Sequence, residues 1–148
     1  MKRIVVKESL FPAGVDEIWD KLQHLSTLQF VAAPYVSFKP MDGQLDFQWQ
    51  ESSLFSLRFK LFGLIPMGVH TIRILRFDKE GLEIYSNESN PFIPVWNHRI
   101  RLQQIDGKHT KYMDQVEIDA GLKTPFVYLW ASAFYSHRQR KWIQLLQL

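Results

Sequence analysis

Two hydrophobic periods divide this chain, and their order leaves few folds open. From residue 35 to residue 120 the apolar residues mostly alternate, in short runs broken by turn-forming residues, as strands do. From Thr124 the spacing changes, and Val127, Trp130, Phe134, Trp142, Leu145 and Leu146 recur at helical intervals. A helix of roughly 24 residues would be about 36 Å long. Strand signals fall at residues 35–40, 44–50, 54–62, 69–77, 82–87, 96–105 and 109–120. Turns are expected at 41–43, 78–81 and 106–108, and a loop at 63–68 around Pro66. Such regular spacing predicts an antiparallel meander.

Ahead of the meander, residues 2–10 alternate as a strand, with Val5 and Lys7 facing away from Ile4 and Val6. Phe11-Pro12-Ala13-Gly14 ends it. Residues 15–22 place Val15, Ile18, Trp19 and Leu22 on one helical stripe, with Asp16 and Glu17 at the positive end. Ser26 is expected to cap a second short helix, which Pro34 ends. Thr124 before Pro125 suits the start of the last helix. The predicted fold class is α+β: a curved antiparallel sheet in the order β-α-α-β-meander-α, wrapped around a long C-terminal helix. Residues 1–148 are read as a single domain, a length that fits one core. A sheet needs a cover for its apolar face. The space beneath that cover is either filled by side chains or left as a cavity.

Several function classes fall away. The net charge is only +3, and the basic residues are scattered apart from His137 to Lys141. Nucleic-acid binding calls for a larger clustered footprint. That cluster is read as exposed cations on the C-terminal half of a helix. The apolar run Ile4 to Val6 is too short for a signal core, and no run approaches the roughly 20 residues that span a membrane. The chain has no cysteine. The expectation is a soluble cytoplasmic protein with no stable membrane insertion; the oligomeric state stays open. No metal site is expected, since the histidines lack close spacing. No cofactor is expected either: Gly63 to Gly68 lacks the Lys-Ser/Thr of a phosphate loop, and no G-x-S-x-G elbow occurs.

The residues that carry chemistry sit on inferred inner faces. Strand parity puts Trp96, His98, Ile100 and Leu102 on one face, with Tyr112, Asp114, Val116 and Ile118 on the same face of the next strand. His70 is expected to face inward on a neighbouring strand. A buried carboxylate needs a partner, because desolvating it costs several kcal/mol. His98 and Asp114 are opposite or diagonal neighbours on this reading. Three roles fit: a structural pair that pins register, polar anchors in an apolar pocket, or a general base dyad. The first two weigh equally. The third stands below them, because no nucleophile is placed by a motif.

Short motifs add a resemblance. Asn90-Pro91-Phe92 with Trp96 and His98 resembles the "G-P-F/Y…W-x-H" segment of bacterial SRPBCC proteins. Thr110 with Asp114 and Val116 is similar to their "T-x-x-x-D-x-V" strand. Phe134-Tyr135-x-His137-Arg138-Gln139 resembles their "F-x-x-R" helix ending. Asn90 departs from the glycine common at its position. With the element order, these motifs resemble the Bet v 1-like, or START/SRPBCC, helix-grip fold across essentially the whole chain. The resemblance implies a hydrophobic pocket between sheet and long helix, with a small hydrophobic or amphipathic ligand such as a lipid or polyketide as partner. The ligand-binding candidates are Trp49, Phe59, His70, Trp96, His98, Tyr112, Asp114, Trp130 and Phe134. Trp19 and Phe30 also point inward by pattern. Binding or carriage is preferred over enzymatic action; the alternative is a polyketide aromatase/cyclase-like enzyme using His98 and Asp114. A protein-interaction module would need an exposed apolar patch, which the pattern does not display.

Overall fold

A computed structural model describes residues 1–41 and 49–148. The elements run β1 (Arg3–Phe11), α1 (Val15–Leu22), α2 (Leu25–Ala32), β2 (Val36–Pro40), β3 (Leu54–Leu61), β4 (Ile65–Asp78), β5 (Glu83–Ser89), β6 (Val95–Asp106), β7 (His109–Asp119) and α3 (Thr124–Leu146). One turn of 3-10 helix, Gly121–Lys123, leads into α3. The seven strands form one antiparallel sheet in the order β1-β7-β6-β5-β4-β3-β2. The α1–α2 pair joins its two edges. The sheet curves around α3, which is the helix-grip arrangement expected. Residues 42–48 of the expected 41–43 turn and 44–50 strand lie outside the described residues. Residues 49 and 50 are not in a strand.

Parity explains most faces. On β1, Val5 and Phe11 are buried under α3 while Ile4 and Val6 are exposed. Two irregularities re-aim the pattern. Alternation predicts Arg76 inward with His70, Ile72 and Ile74. A register shift between Ile74 and Arg76 turns it outward, where it meets Glu83, and brings Phe77 onto the core. The expected 63–68 loop is also shorter, because β4 begins at Ile65. Pro66 pairs with Lys60 just past an irregularity in the β3–β4 ladder between Arg58 and Lys60. Gly68 (φ +92°) lies against Pro91, whose Cγ would be 3.3 Å from an added Cβ. That close approach seats the β5–β6 loop over β4.

The helices differ from expectation at their starts. His24, not Ser26, precedes α2. Lys123 precedes α3, and Thr124 is its first residue. The buried Thr124 hydroxyl instead ties the entering turn, accepting from Ala120 N–H at 2.9 Å and donating to the Gly121 carbonyl at 2.6 Å. Beneath α1 and the C-terminal half of α3, Phe11, Ile18, Trp19, Tyr112 and Trp142 form a packed cluster. Phe11 stacks on Tyr112 with ring centroids 4.5 Å apart. Removing a ring as buried as Trp142 would cost about 3–5 kcal/mol. No helix among the described residues is long and apolar enough to cross a membrane.

Candidate functional site

Between α3 and the inner faces of β2–β6 lies a cavity of about 370 Å³. Its lining is mostly apolar and aromatic. Trp49, Phe59, Trp96, Trp130 and Phe134 all contribute, as do His70 and His98. Trp130 and Phe134 stack at 4.8 Å, and Trp96 meets Trp130 edge-on at 6.2 Å. Along α3 the lining side chains pass from Phe126, 77% exposed, through Trp130 and Phe134 to Arg138 and Trp142, which are buried. The cavity therefore deepens along the helix, with Phe92 and Phe126 at its outer rim.

Two expected wall residues lie elsewhere. Tyr112 is fully buried in the packed cluster with Phe11 and Trp142 and does not line the cavity. Parity sets the face of a strand, but Tyr112 sits near the β6–β7 turn, opposite Leu102, where that face is already filled. Asp114 is also behind the wall, 1% exposed. It reaches the cavity only through His98.

A polar stripe crosses four strands within this apolar shell. His98 pairs with Val116 and Ile100 with Asp114, so His98 and Asp114 are diagonal neighbours. Their atoms Nε2 and Oδ1 are 2.6 Å apart. On the other side, His98 Nδ1 lies 3.7 Å from Glu88 Oε2. Glu88 Oε1 accepts from His70 Nε2 at 2.7 Å, and Glu88 Oε2 accepts from the Ser86 hydroxyl at 2.7 Å. The Asn90 Oδ1 atom accepts from the backbone N–H of Phe92 and Ile93, each at 2.9 Å. Its amide nitrogen therefore faces His70 Nδ1, at 3.1 Å, and His70 carries its hydrogen on Nε2. Asn90 thus has a local use: it holds the loop and orients His70.

The stripe continues onto α3. The Gln139 amide donates to Asp114 Oδ2 at 3.0 Å and to the Lys7 carbonyl at 2.9 Å, and accepts from the Ser9 hydroxyl at 2.6 Å. Trp96 Nε1–H donates to the Tyr135 hydroxyl at 2.9 Å. Burial pushes the His98 pKa down, but the Asp114 and Glu88 carboxylates outweigh it, and the net direction is up. Burial pushes the Glu88 carboxyl up, and the hydrogen bonds of His70 and His98 reverse this, holding it well below the usual carboxylate range. Burial pushes the Tyr112 and Tyr135 hydroxyls up. Asp114 and Glu88 on either side of His98 thus favour its imidazolium form. Both ring nitrogens of His98 and both of His70 face protein partners.

Arg138 overturns the reading of residues 137–141 as exposed cations. It is 9% exposed and lines the cavity. His137 is half-buried, 2.6 Å from the Ala33 carbonyl oxygen. The spacing of Phe134, Arg138 and Trp142 at four-residue intervals is the signal that places Arg138 on the buried stripe. Glu88 was missed because the strand was expected to stop at Asn87, although Ile84, Ser86 and Glu88 share parity. An exposed apolar surface that the pattern did not display is also present, as Leu122, Phe126 and Leu129 stand out at the start of α3. Among the described residues, no group of three or more His, Asp or Glu side chains is arranged to hold a metal ion.

A family model described as "Domain of unknown function (DUF8410)" matches residues 9–146. No curated protein matches the chain in sequence. Solved structures do match in shape. A START superfamily protein from Mycobacterium smegmatis superposes with a TM-score of 0.71 at 13% identity, covering 97% of this chain and 97% of its own. Norcoclaurine synthase from Thalictrum flavum, in complex with dopamine and hydroxybenzaldehyde, gives 0.67 at 7% identity, covering 99% and 87%. The Zhui aromatase/cyclase from a Streptomyces species gives 0.61 at 12% identity, covering 99% and 92%. At these identities the likeness establishes the fold, which is the Bet v 1-like, START/SRPBCC helix grip.

Proposed function

We propose, for a chain that belongs to the DUF8410 family and has the Bet v 1-like helix-grip fold, that its cavity binds a small hydrophobic or amphipathic molecule. The observation that carries this reading is the cavity itself. About 370 Å³ of space lies behind aromatic walls, within the roughly 300–1,000 Å³ typical of small-molecule sites. A packed core seldom leaves voids larger than a water molecule. In this reading Trp49, Phe59, Trp96, Trp130 and Phe134 grip the ligand, and His70 and His98 supply polar edges. Asp114 acts on the ligand only by holding His98. A lipid or polyketide suits the walls, and the cysteine-free chain suits a cytoplasmic setting.

Binding is favoured over an aromatase/cyclase-like reaction by one feature. Proton abstraction needs a basic nitrogen within reach of the ligand. The nitrogens of His70 and His98 are engaged by Glu88, Asn90 and Asp114, and the carboxylates beside His98 shift it toward its charged form.

Native mass spectrometry tests the reading. The purified protein should carry a non-covalent adduct, lost on denaturation, or gain one when mixed with a panel of lipids and aromatic polyketides. Phe134→Trp adds volume beside Trp130 and should weaken uptake by about tenfold while the protein stays folded. A protein that takes up nothing, or a folded Phe134→Trp variant with unchanged uptake, would sink this placement.

A further inference from the structure

Arg138 has no partner, although it is buried. It makes no hydrogen bond and no ion pair within 4 Å among the described residues, and its Nε–H is enclosed without an acceptor. Ring faces flank it, with Tyr135 5.0 Å and Phe134 5.7 Å from the guanidinium carbon. The nearby Asp114 and Glu88 carboxylates favour its charge through space but accept no hydrogen bond from it. Glu88 is taken up by His70 and Ser86, and Asp114 by His98 and Gln139. Buried guanidinium donors are rarely left without an acceptor. The side chain lines the cavity, so an acceptor for its terminal guanidinium nitrogens can come from whatever enters it.

We propose that the cavity takes an amphipathic monoanion, a carboxylate on an apolar body, with the carboxylate paired to Arg138 and the body lying along Phe134 and Trp130 toward Phe126. This rests on the ligand-binding reading above and narrows it to a chemical class. The guanidinium fork matches a carboxylate in two parallel hydrogen bonds, which a neutral hydroxyl does not reproduce. The imidazolium of His98 is already spent on Asp114 and Glu88, and Lys123 stands at the rim beside Phe92. Arg138 lies twelve positions beyond Phe126 on α3, about 18 Å at 1.5 Å per residue, so an extended apolar tail has room to follow the helix outward.

A matched pair of probes tests it. Decanoate and decanol have the same chain, and both can be titrated while following the fluorescence of Trp96 and Trp130. Decanoate should bind the native protein on the order of ten- to hundredfold tighter than decanol, the span expected of a charge-assisted pair out of water. Arg138→Gln should reduce that ratio to about twofold. Arg138→Met carries the same test if the Gln variant does not fold. Equal or tighter binding of decanol by the native protein overturns the anion assignment and leaves the binding reading standing. So does a folded, neutral variant that keeps the decanoate preference. Binding of neither probe overturns both.

Discussion

Replacing Asp114 with asparagine preserves shape and removes one charge, at the best-buried polar position of the stripe. The carboxylate now accepts from two donors, His98 on one oxygen and Gln139 on the other. Asparagine offers one acceptor oxygen, so its NH2 must confront either the His98 or the Gln139 donor. His98 would keep only the Glu88 contact at 3.7 Å as a counter-charge. Removing one partner of a buried ion pair costs about 3–5 kcal/mol, because the other charge stays buried. For a chain of this length that corresponds to a fall in Tm of roughly 6–20 °C. Urea unfolding followed by tryptophan fluorescence, at about pH 6, measures it by linear extrapolation. A cycle with His98→Gln isolates the pair, and the single changes should be far from additive. A loss under about 1 kcal/mol, or additive effects, would refute a charged, buried His98–Asp114 pair.

The same pair sets a direction with pH. His98 has its folded pKa raised above the ordinary 6.5, so its contribution is full below about pH 6.5 and is lost as the pH rises through the folded value. Glu88 is held below its ordinary 4.5, so its contribution is full above about pH 4.5 and is lost as the pH falls toward its folded value. Urea midpoints should therefore be flat between about pH 4.5 and 6.5 and decline above that range. His98→Gln should flatten the alkaline decline, and an unchanged slope in that variant would count against the assignment. Tyr135→Phe removes the acceptor of Trp96 Nε1–H and should cost about 1–3 kcal/mol. A neutral result by urea unfolding would show that the indole finds another partner.

Much of the fold could be read from local pattern. The switch from alternating to helical spacing at Thr124, the hairpin turns at 78–81 and 106–108, and the stripe of α1 all arise from residues close in sequence. Such signals are short-range consequences of backbone geometry, so they survive without tertiary context. The errors mark places where a neighbouring strand decided the outcome. Arg76 faces out because β4 carries one extra residue, Leu75, against β5, and β4 extends back to Ile65 because β3 is there to pair with it. The site divides in the same way. His98 and Asp114 could be paired from parity alone, since a diagonal contact needs only one hairpin. Glu88 needed β5 laid between β4 and β6, and Tyr112 needed α3 to fill its end of the sheet.

The sequence by itself determined which residues alternate and which follow a helical stripe, and hence the α+β order and the inward turn of Trp96, His98 and Phe134. Only the tertiary structure decided what those inward faces meet. The curvature of the sheet around α3 packs one end solid with Phe11, Tyr112 and Trp142 and leaves the other hollow beneath Trp96 and Trp130. The same curvature encloses Arg138 with no hydrogen-bond acceptor among the described residues. Local spacing records the direction of a side chain, whereas packing, charge pairing and empty volume depend on residues far apart in the chain.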